Sequence, residues 1–129
     1  MFEAKGAFNS FSVNNLGEAK TFYSEVLSLK VDEDEMGLKL SLPGGAEVFV
    51  YAKDNHQPAT FTVLNLVVDN VDEAVTALKQ KGVAFESYDQ GMIKTDVNNI
   101  ARGLAANMGP DIAWFKDPAG NVLSVLQEE

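Results

Sequence analysis

Two segments of the chain carry apolar residues at the three- to four-residue spacing of an amphipathic helix. Each begins just after an asparagine, and the second ends at Gly82, a residue type that commonly follows the last turn of a helix. This pattern predicts two helices that each pack one face against a core. The apolar positions are Leu16, Ala19, Phe22, Tyr23, Val26 and Leu27 in the first segment, and Val71, Ala74, Val75 and Leu78 in the second.

The two predicted helices belong to an internal repeat. The run VNNLGEA, which begins at residue 13, matches VDNVDEA, which begins at residue 68. In both copies an asparagine precedes the helix and a glutamate follows three residues later, as Asn15 with Glu18 and as Asn70 with Glu73. Such a pair satisfies backbone N–H groups that the first helical turn leaves without partners. Each copy therefore closes a strand and opens a helix.

Strand-like segments follow each helix. In the first half, residues 38–42 alternate apolar and polar side chains, and residues 47–51 are rich in β-branched and aromatic types. In the second half, residues 112–115 and 122–125 flank the turn sequence DPAGN. Each pair predicts a hairpin.

The remaining segments are predicted as connections. Residues 53–59 form a polar linker, and residues 83–85 are a short strand candidate. Residues 87–110 lack regular alternation and contain several glycines and asparagines. We therefore expect a long loop there, with a helical turn near residues 100–106, inserted only in the second half.

Two longer motifs resemble the glyoxalase/bleomycin resistance/dioxygenase superfamily, also called the vicinal oxygen chelate superfamily. NLGEAKTFYSEVL, from residue 15, resembles its first-helix pattern, and AWFKDPAGNVL, from residue 113, resembles its terminal hairpin. The resemblance implies an α+β fold of two βαβββ modules, whose eight strands form an incompletely closed mixed β-sheet barrel with helices on the convex side. It places module 1 at about residues 5–52 and module 2 at about residues 60–127 of a single domain that spans residues 1–129.

Composition narrows the function. The chain has no cysteine, which excludes disulfides, thiolate metal sites and a thiol nucleophile. Its net charge of −9 repels phosphate backbones and anionic membranes. No stretch approaches the roughly 20 apolar residues of a membrane-spanning helix. We therefore expect a cytoplasmic protein that binds neither nucleic acid nor membrane.

Period-two alternation along the strands predicts which side chains face the concave side of the barrel. Phe11 and Val13 should pack against the helices, and Trp114 should lie opposite Ser124 across the last hairpin. A shift of one residue in register would invert this assignment. The side chains expected on the concave side are Phe8, Ser10, Ser12, Phe49, Tyr51, Val63, Asn65, Val67, Trp114 and Ser124.

The resemblance also bears on metal binding. Metal-dependent members of the superfamily take His, Gln or Glu ligands from the first and last strands of each module. The matching positions here are Phe8, Phe49, Val63 and Ser124, and none offers the imidazole, carboxylate or amide oxygen that a divalent cation needs. We therefore expect no metal and no other cofactor. The members that remain similar are those that bind compounds without metal, such as the bleomycin-binding resistance proteins.

Three functions stay open on the sequence. The first is a metal-independent protein that encloses a small, partly aromatic compound in the concave cavity. The second is a metal-independent enzyme of the lyase or isomerase type, in which Ser10, Asn65, Ser124 or Asp96 supplies acid–base or oxyanion contacts, although no catalytic residue can be assigned. The third is a domain whose cavity is filled and which acts through its surface.

The long loop also carries charged residues that could contact a ligand, and the chain has one histidine. Lys94 and Arg102 are expected to contact polar groups of a ligand, since a loop of this length is uncommon unless it is functional or mobile. His56 is expected to be exposed to solvent without a chemical task. A homodimer is also expected, because an open sheet leaves strand edges and part of a concave face uncovered.

Overall fold

The computed structural model describes residues 1–129 and contains two α-helices, one π-helical turn and ten strands. It divides into two compact units, Met1–Pro58 and Ala59–Glu129. No helix is long and apolar enough to cross a membrane. The first unit contains β1 (Asn9–Val13), α1 (Leu16–Thr21), the π-helical turn (Phe22–Val26), β2 (Lys30–Glu33), β3 (Leu38–Ser41) and β4 (Glu47–Ala52). The second contains β5 (Thr62–Val67), α2 (Val71–Gln80), β6 (Asp89–Gln90), β7 (Ile93–Lys94), β8 (Ala101–Arg102), β9 (Asp111–Lys116) and β10 (Val122–Gln127).

The two units repeat one sheet topology. The strand order is β1-β4-β3-β2 in the first and β5-β10-β9-β8 in the second, and in each the first strand runs parallel to the last. A helix follows the first strand of each sheet. The predicted α+β fold of two βαβββ modules is therefore confirmed, with eight strands in two four-stranded mixed sheets and with β6 and β7 in a two-stranded sheet of their own.

The predicted helix caps are present in both modules. The Asn15 side chain accepts a hydrogen bond of 2.9 Å from the Glu18 amide, and the Asn70 side chain accepts one of 2.9 Å from the Glu73 amide. The two asparagines share nearly the same extended backbone, with φ of −144° and −142°. The repeat in the sequence is thus a repeat of the strand-to-helix junction.

The first helix departs from simple α-helical spacing. After Thr21 the chain continues as the π-helical turn, and the Leu27 amide donates to the Phe22 carbonyl five residues earlier. Tyr23 is completely buried, while Phe22 is half-buried and meets the Tyr23 ring edge-on at 5.2 Å. Tyr23 lies four residues after the buried Ala19, at ordinary helical spacing, and it is the aromatic side chain that enters the core. The wider turn changes the phase only of the residues that follow it.

The DPAGN motif of the second unit has a structural role. Asp117 and Asn121 are buried, and Asp117 Oδ1 accepts hydrogen bonds of 2.9 Å from the amides of Ala119 and Asn121. Asp117 Oδ2 accepts a further bond of 3.0 Å from Asn121 Nδ2. These contacts close the β9–β10 hairpin and so set the position of Trp114 on β9 relative to β10.

The long segment of the second module is more ordered than a loop. β6 pairs with β7, and β8 pairs with the edge of β9. The helical turn expected near residues 100–106 is therefore wrong at its start, where residues 101 and 102 form β8. The strand expected at residues 83–85 is reduced to a single bridge between Phe85 and Phe115. Pairing with a distant strand decided both outcomes, and local sequence does not report such pairing.

Candidate ligand-binding site

An aromatic pair lies on one face of the first sheet. Val48 and Val50 of β4 are buried, whereas Phe49 and Tyr51 point to the other face and are half-buried. The rings of Phe49 and Tyr51 are 6.0 Å apart and nearly parallel, with an angle of 15° between their planes. This alternation agrees with the predicted orientation of β4, and it offers a flat apolar surface to a planar group.

Serines of β1 lie beside this aromatic pair. β1 is parallel to β4, with Ser10 in register with Phe49 and Ser12 in register with Tyr51. Ser10 is exposed, and Phe8, just before β1, is 68% exposed. The first sheet thus presents hydroxyl groups next to aromatic rings.

The Ser12 hydroxyl also meets the only histidine of the chain. Ser12 Oγ and His56 Nδ1 are 2.7 Å apart, and the His56 amide donates to the Lys53 carbonyl in a tight turn. The linker therefore folds back over the end of β1, and His56 is half-buried. The expectation that the imidazole is exposed to solvent is therefore wrong. The two residues are 44 positions apart, and no local pattern signals their contact.

On the second sheet, three predicted site residues form one row across β9, β10 and β5. Trp114 is paired with Ser124, and Ser124 is paired with Asn65. The Ser124 hydroxyl donates a hydrogen bond of 2.5 Å to Asn65 Oδ1 and is completely buried. Trp114 is half-buried and Asn65 is exposed. Ser124 is therefore a support for Asn65, and the accessible groups of the row are Trp114 and Asn65.

The indole of Trp114 is oriented by two contacts that the sequence analysis missed. Its Nε1 donates a hydrogen bond of 3.1 Å to Thr62 Oγ1, and the Tyr88 ring meets it edge-on at 5.3 Å. An irregularity between Val122 and Leu123 places Val122 in register with Thr62. Such a bulge breaks the alternation along a strand. Thr62 consequently reaches the indole.

Tyr88 contributes a neutral hydroxyl to this region. Burial, followed by the nearby negative charge of Glu86, raises the pKa of the Tyr88 phenol above its usual value. The phenol therefore keeps its proton at physiological pH and remains a hydrogen-bond donor. Its backbone is held by Thr95, which accepts from the Tyr88 amide at 2.9 Å and whose own amide donates to the Tyr88 carbonyl.

Trp114 borders two hollows within the second unit. The larger is a cavity of about 630 Å³, and the smaller has about 320 Å³. Ile93 and Trp114 line both. The larger cavity is walled mainly by apolar groups, namely Met92, Ile93, Ile100, Ala101, Ala106, Met108, Pro110, Ile112 and Trp114, together with Lys94, Thr95, Asp96, Arg102 and Gly103. The smaller is lined by Thr60, Phe61, Thr62, Tyr88, Gln90, Ile93, Trp114 and Val122.

The charged groups at the larger cavity differ in their pairing. Arg102 is bound by the carboxylates of Asp72 and Asp96, whereas Lys94 is exposed and forms no ion pair. The hydrogen bonds from Arg102 hold the pKa of Asp72 below its usual range. At Asp96 burial acts in the opposite direction, but hydrogen bonds from the Ile100 amide, Arg102 and the Asn98 amide outweigh it and lower the pKa. Both carboxylates are therefore ionised at neutral pH and unsuited to act as bases.

Four positions of this chain match those that carry the metal ligands in metal-dependent members of the superfamily that the sequence resembles. The side chains at these positions do not suit a metal ion. Phe8 and Phe49 have no donor atom, Val63 has none, and the Ser124 hydroxyl is engaged with Asn65. No group of three or more His, Cys, Asp or Glu side chains is arranged to hold a metal ion. The residues present therefore do not fit a divalent cation at this site.

Residues 8–125 match the family model of the Glyoxalase/Bleomycin resistance protein/Dioxygenase superfamily. The chain belongs to this superfamily. No curated protein matches the sequence significantly.

Solved structures share the fold along almost the whole chain. TnmS3, an antibiotic binding protein from Streptomyces sp. CB03234, is 23% identical with a TM-score of 0.67, over 99% of this chain and 100% of that one. The genomically encoded fosfomycin resistance protein FosX from Listeria monocytogenes is 13% identical with a TM-score of 0.69, over 99% and 96%. A superfamily member from Sphaerobacter thermophilus is 20% identical with a TM-score of 0.66, over 95% and 98%. At these identities the likeness concerns the fold.

Proposed function

We propose that this protein is a metal-independent binding protein that encloses a small, partly aromatic compound. The observation that carries the proposal is the cavity of about 630 Å³ beside Trp114 in the second module. Its volume lies within the range of about 300–1,000 Å³ that is typical of small-molecule sites. Sites of this kind combine apolar walls with a few polar groups that orient the ligand.

Trp114 is the proposed stacking surface. Its N–H group is already bound to Thr62, so the indole keeps one orientation and offers its ring to the hollow on either side. A large aromatic ring held in this way binds a planar ligand with little loss of side-chain entropy. Lys94 is the proposed polar contact, since it lines the cavity and its ammonium group forms no ion pair.

The aromatic and hydroxyl side chains of β4 and β1 are proposed as a ligand-contact surface of the first sheet itself. Phe49 and Tyr51 supply a stacked aromatic surface, and Ser10 supplies an exposed hydroxyl beside it. Phe8 and Asn65 are exposed and remain candidates on the same grounds. Val63 is half-buried and carries neither a polar group nor a ring, so it is the least supported member of the predicted set.

Metal independence is part of the proposal. It is supported by the four positions described above, which lack ligand atoms or use them internally. We expect the protein to act in the cytoplasm, since a chain without cysteine needs no oxidising compartment. We also propose a homodimer, because Phe8 and Phe61 are each 68% exposed and Val67 is 63% exposed in the isolated chain. Contact with a second copy would remove such side chains from water.

A thermal-shift screen against small molecules and divalent metals tests the proposal. Since TnmS3 is described as antibiotic binding, planar aromatic antibiotics belong in the screen. We expect at least one aromatic compound to raise the melting temperature, by an amount that grows with the logarithm of the ratio of its concentration to its dissociation constant. We expect no metal ion to do so. The hit should then quench the fluorescence of Trp114, the only tryptophan.

Two variants assign the site. Trp114→Ala should abolish the thermal shift given by the hit, whereas Val97→Ala, an exposed loop position that lines neither hollow, should retain it. A hit that binds Trp114→Ala as well as the unchanged protein would refute this cavity as the site. A screen without any organic hit would refute the binding function.

The alternative is a metal-independent enzyme of the lyase or isomerase type, which the Ser12–His56 contact favours. In the tautomer whose Nδ1–H donates to the Ser12 hydroxyl at 2.7 Å, Nε2 is the nitrogen that can accept a proton from a substrate carbon as a general base. Incubation of the screening hit in D₂O distinguishes the two functions. Enzyme-dependent deuterium incorporation that is lost in His56→Gln would support catalysis, and recovery of the undeuterated compound would support binding alone.

A further inference from the structure

Arg102 joins three parts of the second module. Its Nη2 and Nη1 atoms donate to the two carboxylate oxygens of Asp72, at 2.6 and 2.9 Å, in a bidentate pair. Its Nε donates to Asp96 Oδ2 at 2.9 Å, and its Nη1 lies 3.7 Å from Asp111 Oδ2. Asp72 is in the first turn of α2, Asp96 is in the long loop and Asp111 begins β9. One guanidinium group therefore links the loop to the helix and to the sheet.

Two of these carboxylates hold backbone turns with their other oxygen. Asp96 Oδ1 accepts hydrogen bonds from the amides of Asn98, at 2.8 Å, and Ile100, at 3.0 Å. Asp111 Oδ1 accepts one of 3.0 Å from the Leu104 amide. The position of Arg102 thus sets the position of the turn at residues 96–100 and of the turn that starts at residue 103. Both turns contribute walls of the larger cavity.

From these contacts we propose that Arg102 is a positioning residue that clamps the long loop to α2 and so holds the cavity beside Trp114 in the shape that receives a ligand. The inference rests on the proposed binding function, since the cavity is what the clamp shapes. It replaces the earlier expectation that Arg102 contacts the ligand. Three of the five N–H donors of the guanidinium are committed to Asp72 and Asp96, and Asp111 Oδ2 lies 3.7 Å from Nη1, so carboxylates of the protein surround the group that a ligand would have to reach.

The fork of the guanidinium matters for this role. Arginine can bind one carboxylate through two parallel N–H groups while a third N–H reaches a second carboxylate, whereas lysine acts as a point charge. A lysine at this position should therefore keep the charge but lose the bidentate link to α2. This difference allows the geometric role to be separated from a simple effect of charge.

Residue-resolved amide hydrogen exchange of the full chain without ligand tests the clamp. In Arg102→Ala the amides of Asn98, Ile100 and Leu104 should exchange about tenfold faster, the change expected from losing one charge-assisted hydrogen bond. Core amides such as those of Leu64 and Val125 should keep their protection. Acrylamide should quench Trp114 fluorescence more strongly than in the unchanged protein. Arg102→Lys should recover only part of the protection.

The matched control is Lys20→Ala, which removes a solvent-exposed ion pair with Glu33 in the first module. It should leave loop exchange and Trp114 quenching unchanged. If Arg102→Ala behaves like this control, or speeds exchange equally at core and loop amides, the clamp is refuted. Should Arg102→Ala fail to fold, Asp72→Asn and Arg102→Lys decide by the same comparison. Because no ligand is used, failure of the clamp is distinct from failure of the binding function, which the thermal-shift screen alone decides.

Discussion

Trp114 donates its indole N–H to the hydroxyl of Thr62, across the intervening strand β10, with 3.1 Å between Nε1 and Oγ1. This hydrogen bond joins β9 to β5, the strands on either side of β10, and it sets the plane of the indole ring. Trp114 borders both hollows of the second module. The orientation of the proposed stacking surface therefore depends on a residue that does not itself stack.

Removal of the Thr62 hydroxyl should loosen this ring. Thr62→Val preserves the side-chain shape but leaves the half-buried indole N–H without its acceptor, so we expect a loss of about 0.5–1.5 kcal/mol in the free energy of unfolding. Urea titration measures this loss, and the fluorescence spectrum of Trp114 should change as well. Thr60→Val, at an exposed position on the same hollow, serves as control. Equal stability of the two variants would contradict the role of Thr62.

Elemental analysis checks metal independence. We expect the purified protein to carry no stoichiometric divalent metal, because Phe8, Phe49 and Val63 have no ligand atoms and Ser124 is bound to Asn65. Addition of EDTA should leave the melting temperature unchanged. One equivalent of zinc, nickel, iron or manganese per chain would contradict this and would indicate ligands elsewhere.

The core of the second module should depend on Phe115. This side chain is completely buried and meets the Phe85 ring at 5.4 Å, so Phe115→Ala should cost about 3–5 kcal/mol of unfolding free energy. The same change at Phe61, which is largely exposed, should cost less than about 0.5 kcal/mol. Denaturant unfolding compares the two. Similar losses would show that the assigned burial is wrong.

Acid should weaken the carboxylate contacts of Arg102. The pKa values of Asp72 and Asp96 are lower in the folded protein than the ordinary value of 3.8. The two ionised carboxylates therefore stabilise the folded state at any pH above 3.8, and this stabilisation is lost as the pH falls from 3.8 through their pKa values in the folded protein. Because Asp72 is more than half exposed, we expect its share to be only about 0.2–1 kcal/mol. The stability difference between the unchanged protein and Asp72→Asn should therefore be measurable at pH 7 and shrink at pH 3. A difference that grows toward acid would contradict the sign.

Light scattering tests the homodimer. At micromolar concentration and physiological salt we expect about twice the chain mass of 14.0 kDa, because burial of exposed apolar side chains should outweigh repulsion between chains of charge −9. Lower salt should weaken the dimer, since repulsion is then less screened. A mass of one chain under these conditions would refute it.

Much of the fold follows from local signals. Asn15 and Asn70 cap their helices as predicted, because a capping interaction involves only the next three residues. Val48 and Val50 are buried while Phe49 is not, since alternation is a property of the extended chain itself. The opposition of Trp114 and Ser124 follows from the length of the turn between them.

Other parts of the candidate site were decided by tertiary structure. The contact between Ser12 and His56 joins residues 44 positions apart, and the pair of Arg102 with Asp72 joins residues 30 apart. The bulge that brings Thr62 to Trp114 arises from pairing between β10 and β5, and it breaks the regular alternation along β5. Hydrogen bonds between side chains on distant elements depend on the packed positions of those elements. The amino-acid sequence alone determined the modules, the helix caps and the faces of most strands. The partners of His56, Arg102 and Trp114 were decided only by the folded chain. The identity of a side chain sets what it can bind, but only the tertiary structure sets which groups lie within its reach.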